Sequence, residues 1–182
     1  RDLIAFQTVS ADSNRALIDY CADLLKTAGA DVTIIEDGTG QKANLYATIG
    51  PKNLPGVLLS GHTDVVPVVG QNWTVPPFEM TTADGKLFGR GTTDMKGFVA
   101  CAMSAALNAS KRTLKTPLHL ALSYDEEIGC IGVRSMIEML TNAPFRPRLC
   151  IVGEPTLMAV ATGHKGKSAY RVTCTGREAH SA

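Results

Sequence analysis

With 182 residues, 45% of them hydrophobic and 19% charged, the chain can bury a core and is neither a disordered nor a collagen-like polymer. Its 18 Lys and Arg against 17 Asp and Glu leave a formal charge of +1. No block of like charges is available to track a phosphate backbone, which excludes nucleic acid as an expected partner. The longest nearly apolar stretch, Phe98 to Leu107, is about half of the roughly 20 residues a membrane helix needs, so no bilayer span is expected.

Arg1 to Phe6 lacks both an initiator Met and a signal peptide's apolar core. Ala16, Leu17, Tyr20, Cys21, Leu24, Leu25 and Ala28 form the apolar stripe of an amphipathic helix, and Gly29 is placed to end it. Val32 to Ile35, Asn44 to Ile49 and the apolar run Gly56 to Gly61 read as strands, the last of a buried central type. Pro76, Pro77 and Gly85 mark the segment 71–85 as a loop. A helix is expected from about Asp94 to Asn108, a strand over Pro117 to Ser123, a helix over Val133 to Leu140 and a strand over Leu149 to Val152.

The alternation predicts an α/β fold, a mixed, mostly parallel sheet with helices on both faces. After about Thr162, the run Lys167 to Thr175 alternates like the first strand of a second unit. The expected division is therefore one α/β unit over 1–162 and the start of a second unit over 163–182. The five cysteines are odd in number, widely spaced and without a Cys-x-x-Cys pair. They read as buried thiols in a reducing cytoplasm.

The chemistry-bearing residues follow strand ends: His62 and Asp64 after one, Asp125, Glu126 and Glu127 after another, Glu154 after a third. In an open α/β sheet, strand carboxyl ends form the ligand crevice, so three segments are expected to converge. His62 and Asp64 leave an extended chain on the same face, where a carboxylate can orient a metal-bound imidazole; a turn Asp beside a chance His is the plain alternative. Asp94 suits a helix cap and equally a carboxylate bridging two cations. Adjacent Glu126 and Glu127 repel in a dry cleft unless a cation compensates them, one ligating while the other takes a proton from water; on an open loop they would simply be solvated.

Ser60-Gly61-His62-Thr63-Asp64, Gly89-Arg90-Gly91-Thr92-Thr93-Asp94-Met95-Lys96-Gly97, Asp125-Glu126-Glu127-Ile128-Gly129 and Gly153-Glu154-Pro155-Thr156 resemble, in order, the motifs of the M20 metallopeptidase/deacylase family. The resemblance implies that 1–162 is a zinc-peptidase-like catalytic domain holding two Zn2+, with Co2+ able to substitute, and that 163–182 begins an α+β lid or dimerisation domain. His62, Asp94 and Glu154 would hold one ion, and Asp94 would bridge to a second held with Glu127. Glu126 would be the general base and proton donor, and Asp64 the support of His62. The second site's remaining His belongs to a motif beyond this sequence, so that site is expected to be incomplete and the chain inactive by itself. His180, within Gly176 to Ala182, resembles the family's oxyanion-stabilising His, supplied across a homodimer formed through the lid. Gln71 to Phe78 resembles the deacetylase branch, which implies hydrolysis of an N-acyl amino acid, first N-acetyl-L-ornithine to ornithine and acetate in arginine biosynthesis, with succinyl-diaminopimelate and other N-acyl amino acids as alternatives.

Ala161 to Ser168 also satisfies a relaxed phosphate-loop pattern, but the strand-like Ala169 to Thr175 supplies no helix to cradle phosphates. His119, inside an apolar strand, reads as a core or interface His. His164 reads equally as loop surface or substrate contact, and Cys130 as structural.

Overall fold

The computed structural model describes residues 1–166, 168, 170–177 and 179. A short helix α1 (Asp2–Ala5) precedes α2 (Arg15–Thr27), and then come β1 (Asp31–Glu36), β2 (Ala43–Ile49) and β3 (Val57–His62). A small hairpin, β4 (Thr81–Ala83) and β5 (Lys86–Phe88), leads to α3 (Lys96–Ala109), β6 (Leu118–Ser123), α4 (Arg134–Thr141) and β7 (Leu149–Val152). The main sheet has the order β1-β2-β6-β3-β7. β1 and β6 each pair antiparallel with β2, whereas β3 lies parallel to both β6 and β7. Four strands thus run one way and β2 alone is reversed, which makes the sheet mixed and mostly parallel as expected.

Period-two alternation divides the strand side chains between two layers. Leu45, Ala47, Ile49, Leu120 and Leu122 join Leu17, Ile18, Cys21 and Leu25 of α2 and Val99, Met103 and Ala106 of α3 in the larger core. Tyr46, Leu58 and Ala121 face the other way, onto Met136 of α4. Helices therefore cover both faces. α2 stops where the stripe stops: Gly29 takes φ +81°, and Ala30 N–H returns to Leu25 O at 2.9 Å, closing the end of the helix.

The segment 71–85, expected as one loop, contains β4 and its turn to β5. Asp84 and Gly85 both have positive φ, 50° and 69°, the two-residue turn whose twist suits a hairpin. Pro76 and Pro77 lie before the paired residues and remove none of their donors. The helix expected from Asp94 starts at Lys96, with Met95 at its cap position and no side-chain cap bond. Asp94 is thereby released from capping. The run expected as a strand over 167–175 forms no helix or strand at its described residues, where Tyr170 and Val172 are exposed. A strand exists through its ladder partner, and none pairs with this run among the described residues. Of the five cysteines expected as buried thiols, only Cys21, on the apolar stripe of α2, is buried; Cys101, Cys130, Cys150 and Cys174 are exposed. No helix among the described residues is long and apolar enough to cross a membrane.

Candidate metal centre

Because β3, β6 and β7 are parallel neighbours, their carboxyl ends share one edge of the sheet. His62 is the last residue of β3, Glu126 and Glu127 follow β6, and Glu154 follows β7. Asp94 arrives from the loop before α3. His62 Nε2 lies 3.0 Å from Asp94 Oδ1, and 3.9 Å from both Glu126 Oε2 and Glu154 Oε1. Ligand atoms of His62, Glu126 and Glu154, and likewise of His62, Asp94 and Glu127, lie within 4.8 Å of one another. All five residues singled out as ligands or base are thus brought together, with His62 common to both groups. Asp64 is beside them; His180 lies outside the described residues.

His62 is buried at 1% exposure, whereas Asp94, Glu126 and Glu154 keep partial access to solvent. Its Nδ1 meets the Asp64 main-chain carbonyl at 2.9 Å, and the Asp64 carboxylate stands farther off at 3.4 Å. The strand ends at His62, so the chain turns and presents the carbonyl as the nearer acceptor. Donation from Nδ1 leaves Nε2 as the atom that can meet a cation. Burial opposes protonation of His62, but the Asp64 hydrogen bond and charge, with the Glu154 charge, outweigh it and raise the pKa to about 9.

Asp64 is itself buried and organises more than the imidazole. Its carboxylate accepts the Ser10 hydroxyl at 2.6 Å, the Glu126 N–H at 3.1 Å and the Glu127 N–H at 3.4 Å. Burial alone would raise its pKa; the bonds from His62, Ser10 and Glu126 hold it below the usual carboxylate range. Asp125, also buried, accepts from Lys42 Nζ at 2.5 Å and from Ala11 N–H at 3.0 Å. The triplet is therefore divided: Asp125 anchors the loop while Glu126 and Glu127 face the cluster. Spacing gave no sign of Ser10, Lys42 or this anchoring role, because the partners are 54 to 114 residues apart in sequence.

Glu127 is pushed up by burial and by the Asp94 charge, and Glu154 by burial and the neighbouring carboxylates, with His62 opposing both. No Lys or Arg among the described residues pairs with Asp94, Glu126, Glu127 or Glu154. One imidazole and four crowded carboxylates without a Lys or Arg beside them form a donor set that fits divalent metal, the nitrogen and oxygen mixture suiting zinc or cobalt. Gly153 permits the approach of Glu154, since a Cβ there would lie 2.0 Å from the Phe98 ring of α3. Neither His119 nor His164 joins the groups of candidate ligands found among the described residues. His119 is buried, with Nδ1 2.9 Å from Thr48 Oγ1 and its ring stacked on Tyr46; His164 is exposed. Across the described residues of 161–177 there is no helix to open a phosphate loop.

The sequence model of peptidase family M20/M25/M40 matches residues 58–180, which include every residue of the cluster. Acetylornithine deacetylase of Proteus mirabilis is 38% identical over 190 residues, an alignment covering 100% of this chain and 48% of the relative. The enzyme of the same name from Shigella sonnei is 38% identical over 189 residues, again covering 100% and 48%. The chain thus spans about half the length of the curated relatives it matches. Among solved structures, human carnosine dipeptidase 1 superposes with a TM-score of 0.71 at 24% identity, over 83% of this chain and 36% of that one. An M20 family metallo-carboxypeptidase from Sulfolobus solfataricus gives 0.72 at 22%, over 84% and 35%; at such identities these likenesses concern the fold. Motifs, ligand geometry and family match agree, and the chain belongs to peptidase family M20/M25/M40.

Proposed function

We propose that this chain carries the metal-binding core of a zinc-dependent hydrolase that cleaves the amide bond of an N-acyl amino acid, N-acetyl-L-ornithine first among them. The observation that carries the reading is the meeting of His62 Nε2 with Asp94, Glu126 and Glu154 at one sheet edge. The substrate choice is supported by the names of the relatives and by the likeness of Gln71 to Phe78 to the deacetylase branch. We assign His62, Asp94 and Glu154 to one ion and Asp94 with Glu127 to a second. A bound zinc or cobalt ion supplies Lewis acidity, polarising the amide carbonyl and acidifying water.

Glu126 is the proton carrier in this reading. Its Oε2 faces the cluster while a third of the side chain still reaches solvent, so it can take a proton from water and hand it to the departing amine nitrogen. Asp64 keeps the two halves of the site in register, holding His62 on one side and the Glu126 and Glu127 backbone on the other. His180 completes the proposal as the oxyanion partner, the segment 163–182 as the start of a lid through which two copies join, and residues 1–162 as the catalytic domain. Five free cysteines suit a cytoplasmic location.

The test is hydrolysis of N-acetyl-L-ornithine beside N-succinyl-diaminopimelate and N-acetyl-methionine, with zinc and after chelation, on this chain and on the protein extended to the length of its relatives. Glu126→Gln is expected to keep metal and lose turnover by about 10²–10⁴-fold, and His62→Ala to lose metal. Full turnover by the Glu126 variant would remove it from the base role. Preference for another acyl amino acid would reassign the substrate.

A further inference from the structure

Cys130 stands beside the proposed base. The turn after β6 folds back on itself: Gly129 and Cys130 N–H both donate to Glu126 O at 2.9 Å, and Ile131 N–H donates to Asp125 O at 3.2 Å. Cys130 has φ +53°, a left-handed conformation that a non-glycine residue keeps when its surroundings hold it there. The result is a thiol 3.3 Å from Glu126 Oε1. The other carboxylate oxygen, Oε2, is the one 3.9 Å from His62 Nε2. Both side chains border the same cavity of about 170 Å³ at the strand ends, together with Ser60, His62 and Glu154.

We infer that Cys130 is a positioning residue for Glu126, its S–H donating to Oε1 so that Oε2 is the oxygen turned toward the metal cluster and its water. The inference rests on Glu126 being the base. An untethered Glu side chain on a partly exposed turn samples several rotamers, and a single donor on one oxygen selects the arrangement that leaves the other free. Cys130 is exposed overall, and partial desolvation with the hydrogen bond to Glu126 raises its pKa from the ordinary thiol value, which favours the S–H donor over the thiolate.

Two readouts test this. In infrared difference spectra of the chain, Cys130→Ala isolates the S–H stretching band, which is expected to move toward the free-thiol position in Glu126→Ala. In the protein at the length of its relatives, Cys130→Ala is expected to lower kcat by about 5–10-fold, the worth of one modest hydrogen bond, with KM and bound metal unchanged, and Cys130→Ser to recover most of the loss. A band indifferent to Glu126→Ala, or an Ala variant as fast as the parent, overturns the role. A band that moves in a protein without metal-dependent turnover upholds the contact and sinks the hydrolase reading alone.

Discussion

Asp64 accepts from a hydroxyl, two main-chain amides and the vicinity of an imidazole, so its carboxylate links β3, the turn after β6 and the segment near Ser10. Its value lies in orientation: groups behind a metal-binding His commonly account for 10–100-fold in affinity. Asp64→Asn retains one acceptor oxygen but replaces the other with a donor aimed at N–H groups. It is expected to weaken zinc binding by about 10–100-fold, read by competition titration with a chromophoric chelator. Affinity equal to the parent's would leave Asp64 without an organising role. The His-x-Asp spacing pointed to this pair, but not to the main-chain carbonyl as the nearer partner of Nδ1, which depends on where β3 stops.

At the scale of elements, the cluster is a product of β3, β6 and β7 lying side by side in parallel, with α3 packed behind them. Gly153 is the narrow point. Adding one methyl group in Gly153→Ala would force the β7 exit away from Phe98 of α3, and with it Glu154. Loss of one ion from the protein, measured by metal analysis after dialysis, is the expected result; full retention with an unchanged melting temperature would show that α3 yields instead. Most elements were legible because periodicity is a local property: the stripe of α2 and the apolar runs of β3, β6 and β7 lie where the pattern puts them. The β4–β5 hairpin was missed because its strands are three residues each and only the Asp84-Gly85 turn announces them.

For the whole molecule, crowded carboxylates from separate strand ends give the folded chain a candidate site for a divalent ion that is lost once the strands separate. Zinc at about 100 times its dissociation constant is expected to add roughly 2.7 kcal/mol, or about 5–10 °C in melting temperature. Scanning calorimetry with zinc and with chelator checks this, His62→Ala being expected to abolish the difference. An equal melting temperature for the parent under both conditions would remove the metal centre from the account.

The sequence by itself determined the element pattern, the four motifs and hence the family, and the residue types at the centre, because these reside in spacing and composition along the chain. Only the tertiary structure decided the strand order that collects the motifs, the anchoring of Asp125 by Lys42 across 83 residues, the reach of Ser10 to Asp64 across 54, and the turn that sets Cys130 on Glu126. Each is a contact between side chains brought together by register or by a backbone reversal. Hydrophobic periodicity says which face of an element is buried; it carries no record of what the opposite side of that contact will be.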